Sequence, residues 1–181
     1  MTRAAAWLGR RLRRLARRED GASTVAFALI FPVVIGLIFA TLEVGLFMTR
    51  QVMLERGVDL ALRDLRLGAV EDPSQEKLRS AICERTVIIR DCEQVLLLEL
   101  RPVDTSSWAG LTDPVACIER AEEITPVTQF VAGQQNELML VRACAIIDPI
   151  LPGGTMALAM PRDPSGGFRM VASSAFVNEP S

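Results

Sequence analysis

The sequence predicts an α+β protein: a long N-terminal helix, membrane-spanning along its first part, packed by its second part on a small antiparallel sheet. Three observations carry this. No charged residue occurs from Gly21 to Leu42, and between Asp20 and Arg50 the only charged residue is Glu43. Farther on, Leu54, Val58, Ala61, Leu62 and Leu65 recur at spacings of three and four, the period of a helix with one buried face. Beyond that, three apolar segments bounded by proline and glycine read as strands.

The uncharged run is long enough, as a helix, to cross a bilayer core of roughly 30 Å. It is longer than the apolar core of a cleaved secretory signal, and Thr41-Leu42-Glu43-Val44-Gly45 is a poor small-x-small cleavage site. Before it stand seven arginines, Arg3, Arg10, Arg11, Arg13, Arg14, Arg17 and Arg18, followed by Glu19 and Asp20, so residues 1–21 carry a net charge of +5. The rest of the chain holds 13 basic and 20 acidic residues, a net of −7. Basic residues are retained on the cytoplasmic side, which orients the N-terminus inward and the C-terminal part outward. The leader is a positively charged segment, and its Trp7, Leu8, Leu12 and Leu15 would also let it lie on an anionic leaflet. It abuts an apolar run and lacks interleaved aromatics, which argues against a nucleic-acid patch. Two fates fit the run: an uncleaved signal anchor, or a helix whose leader is cut on the cytoplasmic side between Gly21 and Ala22. Glycine suits the second, because it offers no Cβ to obstruct a protease holding the chain extended. Pro32 cannot donate to the carbonyl four residues back and is expected to kink or loosen the helix.

Past the run, Arg50, Glu55, Arg56, Asp59, Arg63, Asp64 and Arg66 fill the faces left by the apolar stripe, and Gly68 is a candidate C-cap. A helix over 22–67 would be about 70 Å long at about 1.5 Å per residue. The layout is then a basic cytoplasmic leader at 1–21, a transmembrane helix at 22–48, its extracytoplasmic continuation at 49–68 and a small α+β domain at 69–181. Within that domain Asp72-Pro73 is expected to cap a short helix ending near Arg85. Val87-Ile88-Ile89 reads as a short strand or that helix's end. Strands are expected at 94–101, 137–147 and 168–177, a helical turn at 115–123, and loop over 149–167, where proline and glycine cluster.

The four cysteines, Cys83, Cys92, Cys117 and Cys144, all fall in the expected external part, where an even count reads as disulfides. Three pairings are possible. Cys83–Cys92 is favoured on proximity and Cys117–Cys144 by elimination. With no histidine and no C-x-x-C pair, no metal site is expected. The lack of histidine also excludes Ser-His-Asp and Cys-His arrangements. Gly153-Gly154-Thr155 is not followed by lysine and is no phosphate loop. Glu119, Glu122 and Glu123 read as a solvated helix face. No cofactor and no enzymatic activity are expected.

Gly21-Ala22-Ser23-Thr24-Val25-Ala26-Phe27-Ala28-Leu29-Ile30-Phe31-Pro32, with Leu42-Glu43-Val44-Gly45, resembles the N-terminus of TadE-like (TadE/TadG family) pseudopilins of the tight-adherence (Flp) pilus system. The other end, Ala172-Ser173-Ser174-Ala175-Phe176-Val177-Asn178-Glu179-Pro180, is similar to that family's terminal strand. The resemblance implies a pilin-like, membrane-anchored minor pilin or pseudopilin-like component of pilus biogenesis. It implies cleavage after Gly21 by a prepilin peptidase, and subunit or membrane contacts through Phe27, Pro32, Glu43 and Gly45. The implied partners are other pilus or pseudopilin subunits, the inner-membrane assembly platform and membrane lipid, and no nucleic acid. The implied location is the bacterial inner membrane, single-pass, with the C-terminal domain periplasmic or extracellular. One residue departs from the pattern: Ala26 stands where the family usually has glutamate, the carboxylate that pairs with a neighbour's N-terminal amine. That points to a subunit placed where the pairing is not needed, such as a filament tip, or to an assembly factor outside the filament. The alternative is an uncleaved single-pass envelope adaptor that binds its partner through the external domain. Glu43 has two readings, a side chain reaching the headgroups or a carboxylate pairing with a basic residue of a partner helix.

Overall fold

The computed structural model describes residues 21–70, 72–108, 111, 113–120, 126–131, 133–150, 154 and 160–178. The basic leader, Glu122 and Glu123, Gly153 and the terminal Glu179-Pro180 lie outside them. In order, the elements are α1 (Ala22–Arg66), α2 (Gln75–Arg85), α3 (Cys92–Val95), β1 (Leu96–Pro102), β2 (Leu138–Ile147) and β3 (Phe168–Val177). The chain divides into two compact units, with the boundary between Leu42 and Glu43.

In the first unit, helix Ala22–Leu42 leaves its apolar side chains bare: Leu29 is 68% exposed and Phe27 63%. Among the described residues α1 is the one helix long and apolar enough to cross a membrane. The helix continues through Pro32, where the Ala28 carbonyl loses its N–H partner. Phe27 and Phe31, one turn apart, bring their rings to 4.9 Å.

The second unit is the α+β body. The 43–66 part of α1 packs on a three-stranded antiparallel sheet of order β1-β2-β3. Leu54, Val58, Ala61 and Leu62 are buried together with Leu78 and Ile82 of α2, so the stripe at helical spacing is the face that closes the core. The register fixes which side chains meet it: Leu98 lies opposite Ala143, and Ala143 opposite Ala172. Leu96, Leu98, Leu100, Val141, Ala145, Met170 and Phe176 share that face. A slip of one residue would turn all of them away. β2 is buried on both faces, which explains its near-continuous apolar run. Its second face is covered by irregular chain at 113–118: Val115 and Cys117 pack on Cys144 and Ile146, and Cys117 is bonded to Cys144.

Three expectations about local structure are corrected. Helix α2 starts at Gln75, because the Ser74 hydroxyl accepts the Lys77 N–H at 3.2 Å and so caps it; Asp72 instead turns the chain with φ 48°. Val87-Ile88-Ile89 is neither strand nor helix. The Cys83–Cys92 bond brings those two Cα atoms to 5.6 Å, so the chain between must double back, closed by Ile89 N–H to Thr86 C=O at 3.0 Å. Residues 115–119 form no helical turn, since the Arg142 Nη1 donor to the Asp113 carbonyl and the disulfide pin that backbone against the sheet.

Sheet edges are largely occupied. Leu100 N–H donates to the Gln129 carbonyl and Val131 N–H to the Leu100 carbonyl, both at 2.9 Å, along β1. Gln75 and Thr128 side chains both donate to the Leu98 carbonyl. On β3, the Gln51 amide of α1 donates to the Val171 carbonyl at 2.9 Å. Such plugs blunt edge-to-edge association.

Candidate functional site

The residues that resemblance singles out all lie on α1 or just before it. Gly21 is exposed and α1 begins at the next residue, Ala22. Ala26 is exposed on the first turns, as is Phe27. Leaving a Val, Leu, Ile or Phe side chain in water forfeits about 1.5–3 kcal/mol of burial each. A helix carrying Val25, Phe27, Leu29, Ile30, Val33 and Leu37 in that state needs lipid or other apolar helices around it. Gly45 lies on an open surface, where an added Cβ would meet nothing within 4 Å, and its carbonyl accepts the Thr49 hydroxyl at 2.8 Å.

Glu43 is 4% exposed and belongs to the second unit. One turn on, Phe47 meets Phe168 edge-to-face, with ring centroids 6.1 Å apart. Glu43, Phe47 and Arg50 together border a small hollow with Ile147, Pro149, Ile150 and Phe168. The part of α1 that belongs to the second unit therefore begins at Glu43. Neither Phe47 nor Arg50 stood out in the sequence. The signal available was that Glu43, Phe47, Arg50 and Leu54 fall at spacings of four, three and four, which puts Arg50 in the row of the apolar stripe and not on the faces beside it.

Ion pairs brace the second unit. Arg120 Nη1 and Nη2 donate to the two Asp148 oxygens at 2.9 and 2.7 Å, and Arg120 Nε donates to Ser165 at 3.1 Å. The hydrogen bond from Arg120 pulls the Asp148 carboxyl below its ordinary range, and the same bond raises the guanidinium. Asp64 of α1 pairs with Arg85 of α2. Cys83 is bonded to Cys92, and Cys117 to Cys144 with Cα atoms 5.2 Å apart. Among the described residues no group of three or more His, Cys, Asp or Glu is placed to hold a metal ion.

No curated protein and no solved structure matches the chain at a significant level. The segment that does match is the helix: residues 21–63, from the glycine before α1 almost to its end, match the family of TadE-like proteins.

Proposed function

We propose that this chain is a membrane-anchored minor pilin or pseudopilin-like component of tight-adherence pilus biogenesis, cut after Gly21 and acting through helix–helix contacts. The observation that carries the reading is a coincidence of extents. The TadE-like match covers one continuous helix that starts at Ala22, and its first half bares a full apolar surface. Such a helix serves twice, as anchor in the bilayer before assembly and as lateral contact with neighbouring helices after it. The prepilin peptidase supplies the new N-terminus, and the inner-membrane assembly platform and other pilus subunits are the partners. The domain from Glu43 onward, cross-linked by two disulfides, then lies on the extracytoplasmic face of the bacterial inner membrane.

A photo-crosslinking residue at Phe27, introduced in cells that build the pilus, tests this. The expected adducts contain another pilus or pseudopilin subunit, identified by mass spectrometry. Adducts with lipid alone would contradict the lateral-contact role. Ala26 keeps the uncleaved adaptor as a second reading, since it lacks the carboxylate that would seek a neighbour's amine.

A further inference from the structure

Beside Arg50 a cleft of about 590 Å³ opens in the domain, with Arg90, Asp91, Arg120 and Asp148 on its walls. Three arginines face two aspartates on these walls, and Glu43 borders the adjoining hollow with Arg50 and Asp148. Arg120 and Asp148 satisfy each other through two parallel hydrogen bonds. Arg50 and Arg90 show no such fork: the Nε of Arg50 is buried with no hydrogen-bond partner, and Arg90 is exposed. A buried guanidinium N–H with no acceptor is costly, and an anion entering the cleft would remove that cost while giving Arg90 a partner. Guanidinium forks match phosphate oxygens in geometry as well as charge.

The position selects the source of the phosphate. Arg50 is the first basic residue after the uncharged run, the place where cationic side chains meet headgroups. Val95, Ile147, Pro149 and Ile150 give the cleft an apolar wall, and Ile150 is 49% exposed. That wall suits the glycerol and first acyl carbons of a lipid better than a free ion. We propose that Arg50 and Arg90 form a site for the phosphate of an anionic phospholipid. The site rests on the reading that the apolar run of α1 crosses a membrane, and it is independent of the pilus role.

The test uses the full chain in nonionic detergent. Dioctanoyl phosphatidylglycerol, dioctanoyl phosphatidylcholine and inorganic phosphate are titrated separately, and bound ligand is read by native mass spectrometry. Insertion into phosphatidylcholine vesicles is measured in parallel. The wild type is expected to bind phosphatidylglycerol about tenfold or more tightly than phosphatidylcholine, as expected for charge-assisted bonds. Arg50→Gln with Arg90→Gln removes that preference, Arg50→Lys with Arg90→Lys keeps part of it, and both variants retain two disulfides and the wild-type unfolding midpoint. A preference that survives the double glutamine variant, or a wild type with none, overturns the site. Inorganic phosphate bound as tightly as phosphatidylglycerol overturns the lipid as its ligand. A chain that does not enter vesicles overturns the membrane reading and the site with it, a result distinct from insertion without lipid preference.

Discussion

Arg142 sits in the middle of β2, 5% exposed, on the face turned away from α1. Its Nη2 and Nε donate to Glu99 Oε2 at 2.6 and 2.9 Å, and its Nη1 to the Asp113 carbonyl at 2.8 Å. The guanidinium thus ties β1 to β2 and holds down the irregular segment that covers the sheet. Removing one member of a buried pair strands the other, so Arg142→Ala is expected to lower stability by about 3–5 kcal/mol, read from urea unfolding of the full chain in detergent. Replacing both Arg142 and Glu99 by leucine recovers much of that loss; equal loss in the single and double variants would contradict the pairing account. At the surface, Asp104 accepts the Ser106 hydroxyl at 2.7 Å, the Ser106 N–H at 2.8 Å and the Ser107 hydroxyl at 2.8 Å. The Ser106 side chain does most to bring its pKa from 3.8 down to about 2. Because the folded value lies below the unfolded one, this turn's contribution is complete above about pH 4 and disappears as pH falls toward 2. Carboxyl NMR should show Asp104 titrating near 2, and Ser106→Ala should move it back up. The residues that matter here were not visible in the sequence, where Arg142 is one arginine in an apolar run; only the pairing register brings Glu99 opposite it.

Among the elements, α1 carries two jobs in one continuous helix, and Gly57 shows how its second half meets α2. A Cβ at that position would sit 3.0 Å from Thr86 Cγ2 and 3.2 Å from the Ile82 carbonyl oxygen. Gly57→Leu must push the two helices apart and should cost about 1–3 kcal/mol. Gly36→Leu, where an added Cβ meets nothing within 4 Å, should leave the unfolding midpoint unchanged. If both glycines tolerate leucine equally, the close approach is not what holds α1 to α2. The strands and α1 were legible because period, length and flanking proline or glycine all agree: Phe168 to Val177 alternates inward and outward almost without fault. The turn at 86–91 and the cover at 113–120 were not, because covalent and tertiary ties override local propensity there. Val87, a strong strand former, ends up 84% exposed in a turn closed by a disulfide. Glu43 illustrates the same limit within the candidate site. Its burial depends on chain more than a hundred positions away, including Ile147 and Phe168, and no spacing rule reports that.

At the scale of the whole molecule the division is between a helix built to be surrounded and a domain built to be self-sufficient. The described residues of the first unit offer apolar side chains with no core of their own, and the second unit closes its core with α1, α2 and one sheet, then staples its loops with disulfides. The TadE-like match lies on the helix that runs through both. The central claim is that this helix becomes the N-terminus of the working protein, with Ala22 as its first residue. The measurement that tests it most directly is the intact mass and N-terminal sequence of the membrane-bound protein, made with and without a prepilin peptidase. The account predicts a start at Ala22 that depends on the peptidase and a full leader without it. An intact leader in both samples would contradict it and leave a single-pass adaptor in its place.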